Sequence, residues 1–436
     1  MKHTVLRRLV PLLLISGFLV VGGVGAYAQS DVASDVLKTY TNEDPVVAKD
    51  KLEHQLFDSE KKFGIIFRPH IKVCVDSLPG EAHCSARVIT DTNGTPRSTT
   101  LPSGMSPAQL LKAYSLSGAA NGNPIVAIVD AYDDPNIFSD LSTYSATFGI
   151  PTLPKCSGAV ASSPVACFQK VNQKGSTTQH PTTNSGWALE IALDVETVHA
   201  VCQNCSILLV EANSASYSDL MTAVDRAVML GAKVVSNSYG SSEFAGESAF
   251  DSHFNHPGVA FTVSSGDSGY GAQYPAASPY VTAVGGTSLF LNADNSYNSE
   301  VAWSGAGSGC SAYEPKLLWQ SDTSCAQRTI ADMSADADPN TGAAVYDTVR
   351  YSGRSGWFQV GGTSLASPIV AATYALGAPL APSVQANSLP YTQSASNFND
   401  VVTGANGVCG GLYLCTALLG YDGPTGMGSP RGAGGL

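Results

Sequence analysis

Positive charge is scarce in this 436-residue chain: 23 lysines and arginines face 35 aspartates and glutamates, for a net charge of −12. Nucleic-acid phosphates need a basic surface, so that class of partner is excluded. Charge of either sign is low, at 13% of residues, which suits a protein working in acid, where ionised surface carboxylates are lost anyway. Long apolar runs are absent after the first one. Lys2, Arg7 and Arg8 precede an apolar run from Leu9 to about Gly25 that ends in Ala26-Tyr27-Ala28, a small-x-small cleavage site. The pattern predicts a signal peptide over 1–28 rather than an uncleaved anchor, since Pro11, Ser16 and several glycines interrupt the run. Its removal takes away three positive charges and no negative ones, moving the net charge from −12 to −15. The expectation is a secreted, extracellular, monomeric protein with no membrane partner once the signal is gone.

A complete set of soft metal ligands is also missing. The ten cysteines fall into local pairs: Cys74/Cys84, Cys156/Cys167, Cys202/Cys205, Cys310/Cys325 and Cys409/Cys415. In an exported chain these read as disulfides between near neighbours. Cys202-Gln-Asn-Cys205 has the spacing of a zinc half-site, but no second CxxC or nearby histidine pair completes a shell.

No internal repeat or long low-complexity linker divides the chain. Residues 29–100 are mixed and polar, with a charged, helix-prone piece at Val46–Lys62 and a strand-like piece around Ile65–Val75. From Ser106 the texture changes. "SPAQLLKAYSL" has Ser106 as N-cap and Pro107 at the first helical position. "PIVAIVDAYDDP" reads as a buried strand entering a turn at Asp130. Helix 187–201, strand 206–212, helix 218–230, strand 233–240 and strand 259–269 follow. Continuously apolar strands separated by helices predict an α/β domain with a mainly parallel sheet and helices on both faces, over 101–430, with a short tail at 431–436. Working groups in such sheets lie beyond the carboxyl ends of the strands, which points to Asp130, Ser238-Tyr239-Gly240 and Asp267.

"GGTSL" occurs twice, at 285–289 and 361–365. The first copy lies between a strand and a polar loop, and Ser288 reads as a turn serine. The second leads from a strand through Gly361 and Gly362 into an apolar helix with Pro368 in its first turn. Ser364 therefore sits at the positive end of a helix, as a nucleophile or as a plain helix cap. A nucleophilic serine needs a proton acceptor. None of the eight histidines stands in a His-Gly-Thr setting. Instead, "SGWALEIALDVETVHAVC" places Glu190 and Asp194 one helical turn apart, ~40° around the axis. On a surface helix they would be two solvated groups. Here Trp187, Leu189, Ile191, Leu193 and Val195 interleave them, and a buried pair that shares a proton becomes a base beside the serine. Asp267, in the glycine-flanked turn "SSGDSG", could be a simple turn residue. Protonated, it would donate a hydrogen bond to an oxyanion, so the site would need acid.

In combination Glu190-x-x-x-Asp194, "SNSYG", "SSGDSGYGAQYPAASPYVTAVGGTSL" and "GGTSLASP" resemble the sedolisin family, serine-carboxyl peptidases of subtilisin-like fold, over about 106–430. The resemblance implies Ser364 as nucleophile, Glu190 as base and Asp194 as its proton-sharing partner. It implies Asp267 and the Ser364 N–H as donors to the oxyanion, and Asp130 as an extension of the carboxylate network or a structural residue. Ser238, Tyr239 and Gly240 would line the edge that binds protein or peptide substrates, with Tyr239 near the primary specificity pocket. It further implies one Ca²⁺ held by Asp400 and Asp422 and by the carbonyls of Val401, Leu418 and Gly420. The chain departs from the family pattern at Gly361, where serine is usual, and at Leu418, where glycine is usual. The piece 29–100 is short for a family propeptide; it is either a reduced propeptide or a part that stays attached. The alternatives to the acid peptidase are a Ser-His-Asp enzyme using Asp130 and a histidine, and an inactive calcium-bound domain.

Overall fold

The structure is a computed structural model that describes residues 67–78 and 80–436. The signal-like run 1–28 and the helix-prone piece 46–62 lie outside the described residues. Three short strands come first: β1 (His70–Lys72), β2 (His83–Cys84) and β3 (Arg87–Ile89). Helix α1 (Pro107–Ala113) follows, begun as expected by Ser106, which forms a reciprocal cap with Gln109. The alternating part then runs β4 (Ile125–Ala131), α2 (Ile137–Phe148), β5 (Phe168–Asn172), α3 (Ser185–Val201), β6 (Ser206–Ala212) and α4 (Tyr217–Met229). Next come β7 (Val234–Asn237), β8 (Tyr239–Ser242), β9 (Ala260–Ser264), β10 (Gln273–Tyr274), β11 (Thr282–Leu291) and β12 (Tyr297–Ala302). The last third holds β13 (Gly309–Pro315), β14 (Gln327–Ile330), β15 (Met333–Asp336), β16 (Ala343–Tyr351), β17 (Arg354–Gly361) and α5 (Thr363–Leu376).

The central sheet has the order β12-β11-β9-β7-β4-β6-β5, with β15 also joined to β11. All its pairings are parallel except that of β12. Every residue of β4 and β6 is buried, as a sheet covered on both faces requires. Helices α3 and α5 pack on each other, and α3, α4 and α5 all pack on β4. Every residue of α3 from Gly186 to Val201 is buried, so its carboxylates have no route to bulk water. The five disulfides are those expected from spacing. Among the described residues no helix is long and apolar enough to cross a membrane.

The first GGTSL copy is not a turn. Ser288 lies inside β11, buried, and donates to Asp338 Oδ2 at 2.8 Å. Its glycines serve close packing: a Cβ on Gly285 would meet the Ala331 Cβ at 3.1 Å, and one on Gly286 the Ala337 Cβ at 2.5 Å. The expected strand 233–240 is two strands, β7 and β8, broken at Ser238. The extension is not a separate appendage in its described part: β3 pairs with β17, and β2 pairs with β8. Residues 431–436 also pack on the domain, with Gly432 N–H donating to Tyr114 O at 2.7 Å.

Candidate active site

Ser364 is the second residue of α5, which starts after Gly362 at φ +97°. Only glycine adopts that conformation without strain, and a Cβ there would strike the Ala86 Cα at 2.9 Å. Pro368 is not in the first turn but inside the helix. Lacking an N–H, it leaves the Ser364 carbonyl without its partner four residues on. The Ser238 hydroxyl donates to that carbonyl at 3.4 Å, and the Ser364 hydroxyl donates to the Ser238 carbonyl at 3.1 Å. The break in the strand at Ser238 and the proline in the helix thus fit one another.

Beside Ser364 lie three carboxylates. Asp130 from β4 and Glu190 and Asp194 from α3 each place an oxygen within 4.8 Å of the others, and all three are fully buried. None of their six oxygens has a hydrogen-bond partner in this conformation. Burial, reinforced by Asp194 and Asp130, holds Glu190 well above the carboxylate range, while the nearby Ser364 hydroxyl pulls the other way. In this conformation the Ser364 hydroxyl donates to the Ser238 carbonyl and leaves Glu190 unbonded. Burial likewise raises Asp194, opposed by the Ser238 hydroxyl, and raises Asp130. Three buried acids at this separation keep most of their protons.

Asp267 follows β9 and lies on the other side of Gly362. Its Oδ1 accepts from the Thr363 N–H at 2.8 Å and from the Thr363 hydroxyl at 3.0 Å. Its Oδ2 has no hydrogen-bond partner and lies 2.6 Å from where a Gly362 Cβ would stand. Burial pushes Asp267 up to about 6, against the pull of Arg87. Arg87, with its Nε 3.6 Å from Oδ2, was not foreseen in the sequence.

The described histidines are engaged elsewhere. His180 pairs with Glu211 at 2.9 Å, His199 bonds the Pro151 carbonyl at 2.7 Å, and His253 pairs with Asp225 at 2.9 Å. His83 bonds the Ser77 hydroxyl at 3.2 Å, His70 lies 3.5 Å from Arg87, and His256 lies against Phe261. Among the described residues no histidine bonds Ser364 or Asp130. The placement of Tyr239 also differs from expectation. Its ring is buried beside Trp187 and its hydroxyl donates to Asn237 Oδ1 at 2.9 Å. Only its backbone, with that of Gly240, faces an extended partner strand.

Near the C-terminus, Asp400 Oδ2 accepts from the Gly420 N–H and Asp422 Oδ2 from the Leu418 N–H, both at 2.9 Å. Asp422 is buried and Asp400 exposed. No ion pair among the described residues joins either to a cation. Leu418 and Gly420 meet the two carboxylates through their N–H groups and Val401 follows Asp400 in the chain; the two carboxylates are hard oxygen donors of the kind Ca²⁺ takes.

A mainly parallel α/β sheet with a serine at a helix start beside buried carboxylates defines a subtilisin-like hydrolase fold. The Subtilase family model matches residues 163–397, more than half of the chain, and the chain belongs to the subtilase family, in its sedolisin branch. It is 36% identical to sedolisin from Pseudomonas sp. (strain 101) over 207 residues, 39% of this chain and 33% of that protein. It is 27% identical to kumamolisin from Bacillus sp. (strain MN-32) over 373 residues, 76% of this chain and 63% of that one. The chain therefore spans less than two thirds of the length of these relatives. Among solved structures it resembles Pseudomonas sedolisin, a serine-carboxyl proteinase complexed with pseudo-iodotyrostatin, with a TM-score of 0.62 and 28% identity. That match covers 76% of this chain and 96% of the other.

Proposed function

We propose that the chain is a secreted serine-type endopeptidase, active in acid, that cleaves peptide bonds through an acyl-enzyme on Ser364. The observation that carries this reading is the unpartnered, fully buried Glu190–Asp194–Asp130 cluster at the Ser364 hydroxyl. A turn about the Ser364 Cα–Cβ bond moves its proton from the Ser238 carbonyl towards Glu190. Asp194 and Asp130 keep their protons, so the one charge the cluster tolerates rests on Glu190, which becomes the base. The hydroxyl oxygen attacks the substrate carbonyl, Glu190 takes the proton and later passes it to the leaving amine. The Ser364 N–H and a protonated Asp267 bond the developing oxyanion, which is why the reaction needs acid. Ser238, Tyr239 and Gly240 supply backbone groups that pair with an extended substrate.

The five disulfides agree with an extracellular setting. Asp400 and Asp422, with the carbonyls of Val401, Leu418 and Gly420, would hold one structural Ca²⁺, which neutralises the two carboxylates and ties the C-terminal loops together. Adding EDTA should then lower the melting temperature of the wild type and leave Asp422→Asn unchanged.

The decisive test uses unfolded protein as substrate. Glu190→Gln should abolish turnover and His180→Ala should leave it nearly intact. The reverse result would make the site a histidine-based one. No cleavage of any unfolded protein by the wild type in acid would make the chain an inactive member of the fold.

A further inference from the structure

In a chain poor in positive charge, arginines gather at one place away from Ser364. Three of its ten arginines, Arg68, Arg97 and Arg354, line a single cavity of about 570 Å³. Arg97 and Arg354 stand exposed at its rim, and Arg68 is half-buried. The cavity lies at the opposite end of β17 from the nucleophile: Arg354 opens that strand and Gly361 closes it. At ~3.3 Å per residue the strand puts about 23 Å between them, so the cavity is not part of the active site.

Backbone pairing, rather than ion pairing, brings the three side chains together. Asp91 N–H donates to Thr95 O and Arg97 N–H to Ile89 O, both at 2.9 Å, which closes a hairpin at the end of β3. Thr99 and Trp357 exchange N–H···O bonds at 2.8 and 3.1 Å and lay the returning chain along β17. Arg68 is anchored separately, its N–H donating to Asn340 Oδ1 at 2.7 Å. Among the described residues no hydrogen bond or ion pair reaches any of the three guanidinium groups, whereas Arg87 lies against Asp267 and Arg328 against Asp332. The one carboxylate lining the cavity, Asp91, accepts from the Asn93 and Thr95 N–H groups at 2.8 and 3.0 Å. Those bonds, helped by the charges of Arg354 and Arg97, hold it below the usual carboxylate range. It stays ionised and offsets one positive charge of three. Burial and the charge of Arg97 lower Arg68, with Asp338 opposing, yet an arginine keeps its proton. Like charges gathered this way repel, and an anion between them would relieve the repulsion.

Each guanidinium offers a planar fork of N–H groups that matches two oxygens of an oxyanion. Three forks suit a tetrahedral phosphate or sulfate better than a carboxylate, which has only two oxygens to share. The cavity has the volume of a small-molecule pocket rather than of a bare ion. Ser98 and Ser103 line its wall, and the Ser103 hydroxyl, donating to Gln359 Oε1 at 3.3 Å, keeps its lone pairs for a donor. Such a wall fits a hydroxylated body. We propose that Arg68, Arg97 and Arg354 form a binding site for a small hydroxylated molecule carrying a phosphate or sulfate group. The site does not depend on the peptidase reading. A ligand there ties the hairpin after β3 to β17 and stabilises the folded chain by mass action.

The test titrates the full chain at neutral pH with glucose 6-phosphate, glucose 6-sulfate, sodium phosphate and sodium sulfate, with sodium chloride matched for ionic strength. Heat of binding and melting temperature are both read. At least one of the two sugar esters should bind saturably, raise the melting temperature and bind about tenfold more tightly than its inorganic ion, with chloride doing neither. The ester that binds more tightly tells phosphate from sulfate. Arg97→Ala and Arg354→Ala, at exposed positions where the fold is not at risk, should each weaken binding about tenfold. Arg97→Lys, which keeps the charge and loses the fork, should recover only part of that. Arg431→Ala, outside the cavity, should bind as the wild type does. Signals no different from those of chloride would overturn the proposal. So would binding that survives both alanine changes, or that falls equally in Arg431→Ala, because the anion would then sit elsewhere or respond to net charge alone. Sugar esters that bind no more tightly than the inorganic ions would overturn it as well.

Discussion

Helix α3 serves two buried acid clusters that look alike and are built differently. Glu190 and Asp194 meet Asp130 near Ser364; Glu196, two residues further on, faces Asp134, Asp140 and Asp347. In the second cluster each acid is held by a backbone amide. Asn136 N–H donates to Asp134, Thr348 N–H to Asp140, Val349 N–H to Asp347 and Tyr346 N–H to Glu196, at 2.7–2.8 Å. In the first cluster no oxygen is bonded. Amide donors fix a carboxyl's position and leave it little freedom to pass a proton. The unbonded cluster has that freedom, and it is the one next to a serine. The contrast separates an acid joint that ties α2, α3 and β16 together from an acid group poised for chemistry.

The comparison breaks first on activity. Glu190→Gln should lower kcat/KM by about 10⁴-fold, the scale seen when the partner of a nucleophilic serine is disabled. Glu196→Gln, on the same helix, should stay within about twofold, because its amide contact to Tyr346 survives the change. Equal losses from both would mean that burial alone, rather than the absence of bonded partners, explains the Glu190 effect.

A smaller effect concerns Asp267, whose carboxyl burial raises to about 6. Losing its proton removes the oxyanion donor, so wild-type kcat/KM should decline above that pH. Asp267→Asn should be lower at its best by about 10²-fold, the cost of a damaged oxyanion hole, but its alkaline decline should move to higher pH. An unchanged pH limb would detach Asp267 from the reaction.

The smallest effect tests the acid joint through stability. Burial raises Asp347 to about 9 and Asp134 to about 7. Both values lie above those of an unfolded aspartate, so the folded chain binds more protons and the associated stability is fully present below about pH 4. It is lost as pH rises through about 7 and then about 9. Asp347→Asn should therefore flatten the fall in melting temperature between acid and alkaline solution without altering turnover. A melting curve that still falls as steeply would show that other groups govern it.

Much of the fold was readable because its signals are local. The all-apolar strands at 125–131 and 206–212, the Ser106 cap and the near-neighbour cysteines each need only a short window of sequence. Glu190 and Asp194 were readable for the same reason, being one turn apart in an apolar helix. What escaped depends on distant contacts. The glycines of the first GGTSL copy read as a turn, yet Ala331 and Ala337, on either side of β15, and the Pro424 carbonyl demand them. Tyr239 read as a pocket residue, but its ring found a place beside Trp187, from a helix about 50 residues earlier in the chain. The acids of the second cluster come from three separate segments, and nothing local joins Asp134 to Asp347.

The central claim is that a carboxyl group, and no imidazole, takes the proton of Ser364. The most direct measurement is kcat/KM against pH for the wild type and His180→Ala on an unfolded protein. The account predicts overlapping profiles with an acid maximum and a decline beyond about pH 6, where Asp267 ionises. A rate that climbs through neutrality to an alkaline plateau, and collapses in His180→Ala, would contradict it.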